Sequence, residues 1–224
     1  PAAHFQTSSP EEEALVMDLG QSLLFGTWGM GLLAIALASV QPLLLPKLNL
    51  LKEIVEDRNA GSGLVAGAAI VASALNIAAA MQGHAPGGWV GALVSMTLAF
   101  ALGQASLAVL SRLHRFVAHF DVHHEIQHDN VAAACTLAGA FLGNGILLYW
   151  GLHGDVDLHR LLWSLTPVGI AFGLSLALMP VVRLVVTRLF FDGIPFDKEL
   201  SVDRNLAAGI LELIAHPLLA LIVV

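Results

Sequence analysis

Six long apolar runs set the limits on what this chain can become. They cover residues 19–45, 60–81, 89–110, 131–150, 161–186 and 206–224. A helix crosses a bilayer with about 20 such residues, because each adds about 1.5 Å of rise. None of the runs carries a polar face at helical spacing, so a soluble bundle has nothing to turn towards water. Charged residues make up 12% of the chain, against about 25% in a soluble domain. The expected fold is therefore all-α: a polytopic membrane protein with six transmembrane helices, laid out as three repeated helical hairpins. Pro42 and Pro46 should close the first run, and Pro167 and Pro180 should kink the fifth.

One polar stretch occurs three times, each time between two apolar runs. It reads Glu53-Ile54-Val55-Glu56-Asp57-Arg58-Asn59, then Glu125-Ile126-Gln127-His128-Asp129-Asn130, then Glu199-Leu200-Ser201-Val202-Asp203-Arg204-Asn205. Each copy opens on Glu, closes on Asp-(Arg)-Asn and enters a run of small residues, as an internal repeat would. This divides the chain into an acidic N-terminal arm (1–18) and three two-helix repeats, 19–85, 86–155 and 156–224. The arm lacks the basic start and apolar stretch of a secretory signal.

The repeats place all three polar links on one side of the bilayer. Lys47, Lys52, Arg58, Arg112, Arg115, Arg183, Arg188, Lys198 and Arg204 lie on that side, and Arg160 alone lies on the other. Basic residues accumulate on the cytoplasmic side, so the links should be cytoplasmic and both termini outside. Trp89, Tyr149, Trp150 and Trp163 fall at the opposite ends of the runs, where an interfacial aromatic belt would sit. Pairs of glycines four residues apart (Gly63 and Gly67, Gly139 and Gly143, Gly169 and Gly173) should mark close helix contacts. Cys135 is the one cysteine and lies inside an apolar run, so no disulfide forms within the chain.

At the repeat the sequence resembles the membrane family known as domain of unknown function 350. The matching residues are Glu53, Asn59 and Ala60 with Gly63 and Gly67, and Glu125, Asn130, Ala132 and Ala133 with Gly139 and Gly143. The third set is Glu199, Asn205, Ala207, Ala208 and Gly209. The chain departs from that family's pattern in having three units rather than two, and in carrying Glu212 and His216 in its last run. The resemblance implies a bacterial inner (plasma) membrane protein of two-helix units. It implies no reaction.

Three constellations could carry chemistry. His124-Glu125-Ile126-Gln127-His128 would put two imidazoles on one helix face, the pattern that binds zinc beside a general-base Glu. His114, His119, His123, Asp121 and Asp129 are near enough in sequence to add a ligand. Because Glu125 is the repeat's own Glu, a chance match to the zinc pattern is the better reading; metal binding at this link ranks above a zinc enzyme, and pH sensing is a third reading. Second, Glu212 and His216 share a helix face inside a span, where ionisable groups usually mark a pathway or relay. Asn76, Gln104 and Asn144 are further polar groups within spans, each able to hydrogen-bond between helices. Third, Glu53, Glu125 and Glu199 could form a ring about an axis normal to the membrane, with Asp57, Asp129 and Asp203 one turn deeper. Capping of the following helix explains the Asp and Asn positions without any ion.

The leading expectation is a non-enzymatic channel-like or transporter-like bundle for an ion or small solute, without a cofactor, with Glu212 and His216 near its pathway. The alternative is a membrane scaffold or accessory subunit that recruits a partner. The expected partners are the lipid bilayer and either further copies of the chain or another membrane subunit. An acidic chain, net charge −7, is a poor partner for nucleic acid.

Overall fold

The computed structural model describes residues 10–82, 88–153 and 161–224. The start of the acidic arm (1–9) and Arg160 lie outside them. All six apolar runs are helices, and each is long and apolar enough to cross a membrane. They are α1 (Pro10–Ser39), α2 (Ala60–Met81), α3 (Gly88–Ala118), α5 (Val131–Gly151), α6 (Leu161–Phe190) and α8 (Leu206–Val223). Two short helices, α4 (Val122–Gln127) and α7 (Phe196–Ser201), lie in the second and third links. No strand occurs among the described residues. The protein is an all-helical, multi-pass membrane protein.

The helix ends follow from local chemistry. α1 begins at Pro10 and so takes in the second half of the segment expected to be an arm. It passes at Pro42 into a π-helical turn, Val40–Leu44. Proline cannot donate to the carbonyl four residues back. The turn widens, and the Leu45 amide reaches Val40 O at 3.0 Å. α3 and α6 run past their apolar stretches to Ala118 and Phe190. The added turns carry Arg112, Arg115 and Arg188, cations that suit the negative end of a helix. Pro167 and Pro180 both lie inside α6, which continues through them.

α5 is the centre of the bundle. α2 and α8 both pack along it and make no comparable contact with each other, while α3 covers α2 and α5, and α6 covers α5 and α8. Two faces of α5 make these contacts. A Cβ on Gly145 would stand 2.7 Å from the Ala72 Cα of α2, and one on Gly61 of α2 would stand 3.0 Å from the Ala134 Cβ. On the other face a Cβ on Gly139 would stand 2.8 Å from the Leu213 Cα of α8, and one on Gly209 of α8 would stand 2.6 Å from the Ala132 carbonyl oxygen. At about 100° per residue, Ala132 and Ala134 point in nearly opposite directions, so the two contacts do not compete. With α5 between α2 and α8, the second elbow joins the first and the third, and the three do not close into the ring that the carboxylates could have formed.

The glycine expectation needs correction. Only Gly139 and Gly143 mark a contact within the chain; Gly63, Gly67, Gly169 and Gly173 have nothing within 4 Å of where a Cβ would be. Four-residue spacing marks one face of a helix, and lipid or a neighbour can lie on that face equally well. Pro217 adds a second device. It denies the Leu213 carbonyl its usual donor four residues on, and that carbonyl oxygen lies 3.0 Å from the Cβ position of Gly139.

Candidate functional site

The three elbows share one construction. In each, the residue before the Asn takes a left-handed backbone: Arg58 at φ 55°, Asp129 at 59° and Arg204 at 50°. That turn lets the Asn cap the next helix. The side-chain oxygens of Asn59, Asn130 and Asn205 accept from the amides of Ser62, Ala133 and Ala207 with Ala208. Each carboxamide also donates to the Glu of its own copy, at 2.9 Å to Glu53, 2.9 Å to Glu125 and 2.8 Å to Glu199. The Glu is therefore a brace for the capping Asn, which explains a spacing that capping alone left unexplained. The cap itself is made by asparagine. Asp57 and Asp203 pair instead with Lys52 and Lys198 at 3.1 and 3.2 Å, and the bonds to Asp57 hold the Lys52 ammonium above its ordinary pKa.

The carboxamides also join the elbows in series. Asn59 Nδ2 donates to the Ile126 carbonyl at 2.7 Å, and Asn130 Nδ2 donates to the Leu200 carbonyl at 2.8 Å. Both carbonyls belong to the residue after the Glu of the next copy. Each buried Asn thus makes three bonds with one side chain, so its position and its neighbour's are set together.

Glu212 sits in a buried ion cluster that the sequence reading missed. Glu212 and His216 are each 1% exposed and Arg183 is 7% exposed. Arg183 Nη1 of α6 lies 3.3 Å from both carboxylate oxygens of Glu212. Its Nη2 donates to Asp197 of α7 and lies 3.4 Å from the Ala118 carbonyl. The guanidinium also lies over the Phe120 and Phe196 rings at 5.8 and 5.2 Å. Asp197 in turn meets His119 at 3.3 Å, where both side chains are exposed to solvent. A continuous line of contacts therefore runs from Glu212 through Arg183 and Asp197 to His119. Counting from the elbow would have found the pair. Glu212 stands seven residues after Asn205 and Arg183 seven before the end of α6, each about 10 Å of helical rise.

Two imidazoles adjoin this cluster. His216 Nδ1 lies 2.9 Å from the Glu212 carbonyl oxygen. A carbonyl only accepts, so Nδ1 carries the hydrogen and Nε2 keeps its lone pair. That Nε2 is buried without a partner, as is Nδ1 of His114 on α3. His114 interacts electrostatically with His216 and Arg183.

Among the described residues, none of the other intramembrane amides bonds Glu212 or His216. Gln104 donates to Ser73 Oγ at 2.6 Å and accepts from Ser39 Oγ at 3.2 Å, tying α3 to α2 and α1. Asn144 donates to Ser106 Oγ at 2.9 Å. Asn76 packs against Gly103, and neither of its amide atoms has a partner. Outside the Ser106 pair an apolar groove of about 310 Å³ runs between α3, α5 and α6, lined by Val109, Leu148, Leu165 and Phe172 among others.

In the His-rich link, Glu125 is held by Asn130. His128 donates from Nδ1 to the His124 carbonyl at 2.8 Å, and the two rings stand 4.2 Å apart. Among the described residues, no group of three or more His, Cys, Asp or Glu side chains converges as metal ligands would. His123 turns elsewhere. Ser111 spends its hydrogen on the Leu44 carbonyl at 2.7 Å, so it accepts from His123 Nε2 at 2.9 Å. Both line a basic cleft of about 270 Å³ with Lys47, Arg112, Arg115 and Asp121.

No match is found among the curated proteins or the solved structures. The model of a family described as Domain of Unknown Function (DUF350) matches residues 3–81 and 88–224, nearly the whole chain. The chain belongs to that family.

Proposed function

We propose that the protein moves a proton or small cation across a bacterial inner membrane, with Glu212 and His216 as the intramembrane station. One observation carries this reading: a membrane-buried carboxylate, with the unpartnered Nε2 of His216 one turn along the same helix, connects through Arg183 and Asp197 to His119 at the elbow face. Burying so many ionisable groups is costly, and a bundle needing only to pack would use apolar residues there. With Arg183 set aside as buried beside Glu212, eight basic residues on the elbow side support a cytoplasmic elbow face. The role asks for no catalytic residue or cofactor.

The test is flux into liposomes reconstituted with the purified protein, read with a pH-sensitive dye and with mono- and divalent cation indicators. Flux should appear with the native chain and vanish with Glu212→Gln. No flux from the native chain with any of these ions would overturn the proposal. A second reading, a scaffold or accessory subunit, is favoured by the fact that Arg183 already neutralises Glu212, as a structural ion pair would. It gains if a variant lacking both charges is stable and fully active in the cell.

A further inference from the structure

We propose that the chain associates head to tail with a second copy of itself, the last elbow and α8 of one copy seating on the first elbow and α2 of the next. The proposal takes the three motif copies as equivalent units and goes beyond the transport reading, on which it does not depend.

The carrying observation is that a contact used twice within the chain is left open at both ends. Asn59 reaches the second elbow and Asn130 the third. Asn205 bonds its own Glu199 and, among the described residues, reaches no further carbonyl. At the receiving end, Ile126 and Leu200 are 0% exposed beneath the preceding elbow, whereas Ile54, their counterpart in the first copy, is 40% exposed. Asn59 and Asn130 are buried, and Asn205 is only half-buried.

The helices below are open in the same register. The second residue after the Asn in one copy packs on the fourth after the Asn in the next: Gly61 on Ala134, then Ala132 on Gly209. Continued once more, the rule puts Ala207 on Gly63 of a second copy, an Ala-on-Gly contact like Ala132 on Gly209. Ala207 is exposed, and Gly63 has nothing within 4 Å of its Cβ position. One level deeper Gly139 meets Leu213. The counterparts are Ile214 of α8, 49% exposed, and Gly67 of α2, with nothing within 4 Å. An exposed ridge on α8 therefore matches a notch on α2, and the free N–H of Asn205 falls to the carbonyl of Ile54 in the next copy. Different surfaces meet, so the contact is heterologous and extends to a ring or a filament.

The test uses Gly63→Cys and Ala207→Cys, each with Cys135→Ala, co-expressed in one membrane and oxidised with copper–phenanthroline. Both substitutions stand in open positions and leave the fold intact. A disulfide-linked dimer should form when the two variants are mixed and be absent with either alone. Adding Gly67→Leu, which fills the notch without touching the chain's own packing, should abolish it. No dimer in the mixture overturns the proposal. So does equal self-linking of either single variant, which would indicate a two-fold symmetric contact. Flux plays no part in the readout, so this proposal and the transport proposal fail separately.

Discussion

Arg183→Met should be among the most damaging single substitutions in the protein. The guanidinium lies 3.3 Å from a carboxylate that is 1% exposed, and it also bonds Asp197. Removing it leaves Glu212 without its cation in surroundings that exclude water, and breaking a buried pair from one side costs about 3–5 kcal/mol. Asp197 suffers less, since its side chain is 42% exposed and keeps His119 at 3.3 Å. Adding Glu212→Leu removes the stranded charge, and replacing both partners of such a pair with apolar groups is often near neutral. The double variant should therefore recover most of the loss, with a coupling of about 2–3 kcal/mol between the sites. Unfolding in mixed micelles by increasing SDS, followed by tryptophan fluorescence, measures all four proteins. If the double variant loses the sum of the two single losses, the pair is not energetically coupled and the reasoning fails. The same stable double variant then serves the flux assay, where lost flux cannot be blamed on lost fold.

The elbow asparagines should differ in a set order. In micelles that keep the chain monomeric, Asn59→Ala and Asn130→Ala should each cost about 2–4 kcal/mol, for a cap plus a buried carbonyl and the braced Glu left unpaired. Asn205→Ala should cost about 1 kcal/mol, chiefly the cap. Gly209→Val should destabilise by about 1–3 kcal/mol through overpacking, because its Cβ would lie 2.6 Å from the Ala132 carbonyl oxygen; Gly169→Val, with open space, should be neutral in the same titration. Burial holds the His123 imidazole below its ordinary value of 6.5, against the pull of Asp121 and with help from Lys47 and Arg112. The unfolded chain therefore takes up that proton first as the pH falls. The stability from neutral His123 is complete above 6.5 and declines below it, towards the folded value. His123→Gln should flatten the stability profile between about pH 7 and about pH 5.

The spans were legible because length and apolarity are local properties, visible one helix at a time. The elbows were legible as a repeat, and their Asn positions as caps. What each Glu does was not, because its partner lies five or six residues on, across a left-handed turn. Arrangement was harder. Gly63 and Gly67 have the same spacing as Gly139 and Gly143, yet the first pair faces outward and the second faces α8. Spacing gives a face and leaves its neighbour unnamed. For the same reason the sequence does not distinguish a row of elbows from a ring. By position in the sequence Arg183 belongs with the flanking cations that orient the chain, although its depth matches that of Glu212. Depth measured from the elbow, rather than position within an apolar run, is the signal that links them.

The account stands on the three elbows sharing one face, since the Asn-to-carbonyl bonds join them directly. Single cysteines at Glu56→Cys, Gln127→Cys and Val202→Cys, with Cys135→Ser, test this with a membrane-impermeant maleimide applied to intact cells and to inverted vesicles. His153→Cys marks the opposite end of α5. All three elbow cysteines should react in inverted vesicles and be protected in intact cells, with the marker showing the reverse. Any elbow cysteine reacting from the marker's side would contradict the shared face and the links between elbows.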